Sequence, residues 1–371
     1  MALDGLIHLI IVENDRNRRQ QIATRRLQRH LRDTSNPFNL PNRLFLKLFR
    51  LNKQCAHNLI NMLTPYMIPS QRVTKVPIHL RIFAVLHFLG HGSYQLGVGH
   101  GYSATGSQPV ISRNIAEVTD IMTTHFLNEW IKFPTSDERI NAIKEGFAVK
   151  HHAFSNVVGI VDGTHIRIMA PPANHPIYPG AVYYCRKKIY AINTQIICNA
   201  NKLILSINAR FPGSVHDSAI WMTSGIRRYL QQIYVLNNQE NYLLGDSGYP
   251  LEPWLLVPFM NPQEDTPESR FNTALSQLRM TIEHTNGLLK SRFRCLHGHR
   301  ALNYNPIRAA KIIYTSSILH NMCITYNAPI PEDDDHLQPM VYIDQIPAAN
   351  NHQWFNGGAQ IRNQIVETYF N

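Results

Sequence analysis

The stretch Val157-Val158-Gly159-Ile160-Val161-Asp162 decides the fold class: a short apolar run, rich in β-branched residues, that closes on a carboxylate. Such a run reads as a buried strand. Working outward, Tyr190–Cys198 and Leu203–Phe211 read as two more strands, split by a turn around Asn199-Ala200-Asn201. A helix is expected from about Ser218 to Gln232. Tyr242–Asp246 is a short strand that again ends in Asp, and Trp254–Phe259 is another. A long helix near Glu268–Cys295 places Leu275, Leu278, Ile282, Leu289 and Phe293 on one face, and a further helix runs through Ile312–Ile324. Three strands, a helix, two strands and a helix make an α/β core rather than an all-helical one.

Three acids stand out in this frame. Asp162 and Asp246 each end an apolar strand, and Glu283 sits beside the apolar Ile282 in the long helix. An acid next to core is costly unless something neutralises it, and a divalent cation is one such neutraliser. Neighbouring strand ends and a packed helix can bring the three to one point, where carboxylates can hold two Mg²⁺ ions ~3.5–4 Å apart. Arg279 and Lys290 lie on much the same helix face as Glu283 and could hold a phosphate there; alone, they would read as an exposed Arg–Glu pair and its neighbour. Asp217 has two readings. Ser214-Val215-His216-Asp217 fits a capping box for the following helix, and it equally fits a fourth acid at the rim of the cluster. Gly245-Asp246-Ser247-Gly248 matches a serine-protease nucleophile signature, but that fold is all-β and disulfide-stabilised. His216-Asp217 lacks the further paired histidines of a His–Asp phosphohydrolase.

The chain has 371 residues, 44% of them apolar, enough for a sizeable core and two folding units. Its net charge of +11 favours a polyanionic partner and argues against a phosphohydrolase of small substrates. Five widely spaced cysteines without a CxxC argue against a disulfide framework or a cysteine zinc site, and point to a reducing compartment, cytosol or nucleus. No stretch reaches the roughly 18 apolar residues of a membrane span. The Leu6–Val12 run is too short, and wrongly flanked, for a secretory signal. Residues 1–40 form a basic segment in which Arg16, Arg18, Arg19, Arg25, Arg26, Arg29 and Arg32 read either as a solvated helix face or as a phosphate-contacting arm. Residues 41–150 carry helical patterns at 43–67, 79–90 and 107–122. The Gly90–Gly106 connection between the last two leaves a helix-turn-helix and an ordinary helical bundle equally open. Residues 327–371 read as a polar tail and a mobile extension.

Taken together, Val161-Asp162-Gly163-Thr164-His165-Ile166, Pro212-Gly213-Ser214-Val215-His216-Asp217-Ser218, Leu244-Gly245-Asp246-Ser247-Gly248-Tyr249-Pro250, Arg279-Met280-Thr281-Ile282-Glu283 and Leu289-Lys290-Ser291-Arg292-Phe293 resemble harbinger-type transposases and their domesticated nuclease relatives, in family order. His284 departs from that pattern, in which Arg is frequent. The resemblance implies a ribonuclease H-like DDE endonuclease domain over 151–326, with Asp162, Asp246 and Glu283 as a catalytic triad and Asp217 joining them in binding Mg²⁺ or Mn²⁺. It also implies a basic stretch at Arg186-Lys187, which with Arg279, Lys290 and Arg292 makes up the expected DNA-contacting set. Further implied are a DNA substrate, a nuclear (and cytoplasmic) location and a Myb/SANT-like DNA-binding partner; whether the chain forms a homo-oligomer is left open by the sequence. The competing reading is a domesticated DNA- or partner-binding protein that retains the nuclease fold and no longer cuts. If the Arg-rich segment contacts phosphates, deleting residues 16–32 flattens the salt dependence of DNA affinity, because binding with fewer phosphate contacts releases fewer counterions. An unchanged slope in a filter-binding titration assigns those arginines to the solvated face.

Overall fold

A computed structural model of the chain describes residues 2–69, 76–92, 107–237, 239–298, 301–330 and 353–371. The chain divides into two compact units, residues 1–88 with 93–118 and residues 89–92 with 119–371. The division thus falls near residue 118, earlier than the expected boundary at 150. The difference arises because the helix Asp137–Ala148 packs on the first strand of the second unit instead of on the helices before it.

The first unit is helical: α1 (Ala2–Thr34), α2 (Asn42–Phe49), α3 (Lys53–Leu63) and most of α4 (Ile78–His91) and α5 (Gln108–Ile121). Local chemistry sets the breaks. Arg50 takes a left-handed conformation that ends α2, and the Asn52 side chain accepts a hydrogen bond from the Cys55 amide, 2.8 Å, to start α3. Phe38, Phe45, Phe49 and Phe83 form an aromatic cluster with ring centroids 4.5–5.6 Å apart. The arginines at 16–26 lie on an exposed part of α1. The connection that a helix-turn-helix would need, 93–106, lies outside the described residues.

In the second unit, α5 continues through a π-helical segment, Met122–Phe126, to Trp130, and α6 (Asp137–Ala148) leads into the sheet. The strands are β1 (Val157–Arg167), β2 (Ala191–Cys198), β3 (Ile204–Pro212), β4 (Tyr242–Leu244) and β5 (Leu255–Leu256). Their order is β3-β2-β1-β4-β5. β1–β2–β3 are antiparallel, and β4 and β5 lie parallel to β1. This mixed sheet with helices is an α/β architecture consistent with a ribonuclease H-like core. The helices are α7 (Asp217–Met222), α8 (Gly225–Asn237), α9 (Pro267–Arg292), α10 (Pro306–Thr325) and α11 (Phe355–Tyr369). The single helix expected over 218–232 is therefore two, broken at Thr223-Ser224 before Gly225. Thr266, Pro267 and Glu268 give α9 a cap, a helix-starting proline and a first-turn acid, and its five expected core residues are all buried. No helix among the described residues is long and apolar enough to cross a membrane, and all five cysteines are free and buried.

The carboxy-terminal segment is not a polar tail throughout. Residues 331–352 lie outside the described residues, but α11 docks on the sheet unit with Ile361, Ile365 and Val366 buried. Arg270 Nε donates to the Phe370 carbonyl, 2.9 Å, and the Arg362 guanidinium lies 3.7 Å from the Phe259 ring centroid. Mean polarity hid an apolar stripe at helical spacing.

One buried charge ties this part of the unit together. Glu252, fully buried, accepts hydrogen bonds from Trp221 Nε1 on α7 (2.8 Å), from Trp254 Nε1 just before β5 (2.7 Å) and from Arg227 on α8 (2.6 Å). Gly358 of α11 lies against its backbone so closely that a Cβ would come within 2.8 Å. Glu252→Ala leaves a guanidinium and two indole N–H groups without their acceptor, so it should lower stability by about 3–5 kcal/mol. Chemical denaturation reads this, and an unshifted midpoint would show that the network is dispensable.

Candidate active site

β1 and α9 meet along a ladder of polar side chains. Asp162 and Thr164, two apart on a strand, face the same side of the sheet. Opposite them α9 presents Arg279, Glu283, Asn286 and Lys290, spaced four, three and four residues apart and so on one face of the helix. Arg279 reaches both acids, 3.6 Å from Asp162 Oδ1 and 3.9 Å from Glu283 Oε1. Asn286 Nδ2 donates to Asp162 Oδ2, 3.0 Å, and Lys290 Nζ donates to Thr164 Oγ1, 2.6 Å. Asp162 does not end its strand as expected. β1 runs on to Arg167 because its second half pairs with β2 through Arg167↔Ala191, so the acid sits mid-strand opposite Ile196.

The parallel β1–β4 pairing brings in Asp246. Ile160 and Leu244 are partners, and Asp162 and Asp246 each lie two residues further on. Asp246 leaves β4 in a turn in which its Oδ1 accepts from the Gly248 amide, 3.0 Å. Asp217 comes from the opposite face. Gly163 pairs with Gln195 and His165 with Asn193, so these residues share the side of the sheet that Asp162 does not use. There Asn193 Nδ2 donates to Asp217 Oδ1, 2.7 Å, and to the Val215 carbonyl, 2.9 Å. A Cβ at Gly163 would lie 2.1 Å from Asp217 Oδ1, so the carboxylate occupies the space that any other residue's side chain would fill. The capping-box reading of Ser214–Asp217 is thus replaced. His216 is the cap residue, no side chain caps α7, and Asp217 lies inside the helix with its carboxylate on Asn193. Gln195 Nε2 donates to the buried Tyr249 hydroxyl, 3.2 Å.

The acids act on one another. Burial, then the charges of Asp246, Asp217 and Glu283, push the Asp162 carboxyl up to about 7 against the opposing pull of Arg279. Burial and the charges of Asp217, Asp162 and Asp246 hold the Tyr249 hydroxyl well above its ordinary range. Lys290 is pushed down to about 8 by burial and by Lys187, while Asp162 opposes the shift. Among the described residues no three His, Cys, Asp or Glu side chains are gathered tightly enough to grip one ion as they stand. The donor set nonetheless fits a hard divalent cation: carboxylates, and two buried amide oxygens, Asn193 Oδ1 and Asn286 Oδ1, with no donor.

The expected DNA-contacting residues fall into three kinds of place. Arg186 is exposed and Lys187 half-buried, at the tip of the Cys185–Ile189 turn, close enough to Lys290 to shift it. Arg279 and Lys290 line the acid site. Arg292 does not belong with them: it is 6% exposed, and its guanidinium donates to the Ala328 and Pro329 carbonyls, 3.0 and 3.1 Å, which commits it to the fold. Gly163, Asn193, Gln195, Tyr249 and Asn286 were not singled out from the sequence as site residues. The signal was there for two of them: Asn193-Thr194-Gln195 is a polar run inside an otherwise apolar buried strand, which calls for partners.

Residues 161–321, which contain all four acids, match the DDE superfamily endonuclease family. The human protein named "Putative nuclease HARBI1" is 29% identical over 77% of this chain and 78% of its own length, and the mouse protein of that name 28% over 88% and 90%. "Protein ALP1-like" of Arabidopsis thaliana is 26% identical over 66% of the chain and 60% of its own length. No solved structure matches the chain significantly. With the mixed sheet, the acids on it and these similarities together, residues 161–321 form a DDE superfamily endonuclease domain, in a chain similar over most of its length to proteins named as HARBI1 nucleases.

Proposed function

We propose that this protein is a divalent-metal-dependent DNA endonuclease that hydrolyses phosphodiester bonds, with Asp162, Asp246 and Glu283 as its catalytic acids and Asp217 beside them. The single observation that carries the reading is the gathering of four acids from β1, after β4, α7 and α9, around an Asp162 carboxyl that burial first, and then their charges, push up to about 7. Carboxylates set against each other in this way gain most from a bound cation. DDE superfamily endonucleases generally use divalent metals, and Asp162, Asp246 and Glu283 would hold Mg²⁺ or Mn²⁺, while Asp217, on the other face of β1, adds its negative charge from there. Bound cations supply an activated water and neutralise charge on the phosphate and the leaving oxygen.

The chain's own groups do the rest. Arg279 spans Asp162 and Glu283 at ion-pair rather than tight hydrogen-bond distances, so it can turn toward a phosphate once those acids have another partner. Lys290 and Lys187 add positive charge on the Thr164 side, where a DNA backbone can run beside the acids. Asn193 and Asn286 hold two of the carboxylates in orientation. With a DNA substrate, the location that goes with this reading is the nucleus.

Two outcomes test this reading. Wild-type protein should nick plasmid DNA with Mg²⁺ or Mn²⁺, poorly with Ca²⁺ and not in EDTA. Asp246→Asn should stay folded and bind DNA but lose roughly 10²–10³-fold or more in cutting rate. Equal cutting by the two proteins, or cutting in EDTA, would falsify the assignment. The second outcome concerns stability without metal. Because Asp162 is raised in the folded state, the native protein binds more protons than the unfolded chain between about pH 4 and pH 7. Its stability therefore falls as pH rises through that window. Asp162→Asn abolishes this contribution, so its melting temperature relative to wild type should climb from pH 5 to pH 8 in EDTA. A constant difference across that range shows that Asp162 ionises as an ordinary carboxylate.

A further inference from the structure

Asn286 is a buried residue of the site with one polar atom still to be accounted for, its Oδ1. It lies on α9 one turn after Glu283 and is 8% exposed. Its Nδ2 donates to Asp162 Oδ2, 3.0 Å, while its Oδ1 is buried and has no donor. The orientation follows from chemistry: an ionised carboxylate only accepts, so the amide must turn its N–H toward Asp162 and its oxygen away. Because Nδ2 and Oδ1 share one planar carbon, that oxygen lies within an amide's width of the contact with Asp162. The neighbouring donors are committed elsewhere. Thr285 Oγ1 donates to the Thr281 carbonyl, 2.7 Å, and Lys290 donates to Thr164. A side chain present only for packing would not leave a strong acceptor buried without a donor.

We propose that Asn286 is a positioning residue that fixes the Asp162 carboxylate and lends its own Oδ1 as a neutral oxygen ligand to the cation of this site. The assignment rests on the metal-dependent reading given above. A neutral ligand suits this place. It adds an oxygen donor without adding a fifth negative charge to a cluster whose members already raise Asp162. It also gives α9 two contacts with the metal region one turn apart, Glu283 and Asn286, so the helix registers against β1.

The test is a Mn²⁺ titration of the full chain by calorimetry at pH 8, on wild type, Asn286→Ala and the volume-conserving Asn286→Leu. Melting temperatures in EDTA and plasmid nicking across a range of Mn²⁺ concentrations are measured alongside. Wild type should bind Mn²⁺, and both variants should bind it roughly 10–100-fold more weakly. Their metal-free melting temperatures should change little, since the acceptor without a donor and the N–H that meets Asp162 are lost together. Nicking should fall at low Mn²⁺ and recover in part at high Mn²⁺. Variants that match wild type in Mn²⁺ affinity overturn the proposal, as does a lowered metal-free melting temperature with affinity unchanged, which marks a structural role. If neither variant folds, Asn286 holds the helix rather than the cation and the assignment is wrong. Failure of wild type itself to bind Mn²⁺ overturns the endonuclease reading, and this assignment falls with it.

Discussion

Holding a carboxylate inside the seam between a central strand and its packed helix is the constraint on which this domain is organised. Asp162 lies in the middle of β1, where water cannot fully solvate it, and three further acids act on it. An ionised group in such a place is tolerated only if positive charge or hydrogen-bond donors meet it. The structure supplies both from one helix face, Arg279 and Asn286, and supplies them incompletely, since the carboxyl remains raised to about 7. A site left electrostatically short in this way is biased toward taking up a cation.

The sheet topology makes the cluster possible. Parallel pairing of β1 with β4 sets Asp246 beside Asp162, because equivalent positions on adjacent parallel strands stay in register. The antiparallel side has the complementary task. β2 turns Asn193 and Gln195 toward the face opposite α9, where they hold the start of α7 and the Tyr249 hydroxyl. Gly163 then lets Asp217 lie over β1 from that second face. Glu252 secures the same helix from its far end through Trp221, so the placement of Asp217 depends on a buried charge well away from the acids. Cations near the site are graded by burial, from exposed Arg186 through Lys187 to the enclosed Lys290, an arrangement on which the proposed DNA contact relies.

Much of this was legible in the residues because periodicity and local chemistry act over short distances. The strand at Val157–Val161, the amphipathic pattern of α9 with its Thr266-Pro267-Glu268 start, and acids beside apolar runs are all local patterns. The errors also have physical reasons. Arg292 looked like a DNA contact because arginine is usually exposed; only the chain at Ala328–Pro329 shows that its donors are spent on backbone carbonyls. The 355–369 segment looked like a tail because its polar residues outnumber its apolar stripe, and what buries that stripe is distant in sequence.

The sequence by itself determined which residue types were available and what each element was: an α/β core, a strand bearing Asp162, a helix bearing Arg279, Glu283 and Lys290, and a charge balance suited to a polyanion. Only the tertiary structure decided which of them meet. That Asp162 is mid-strand, that Asp217 rests on Gly163 instead of capping its helix, and that Asn286 turns its amide to Asp162 all depend on register between strands and on one helix's rotation against the sheet. Register and rotation are set by packing summed over many distant contacts. No window of sequence contains that sum, so the chemistry of the acids could be read early and their geometry could not.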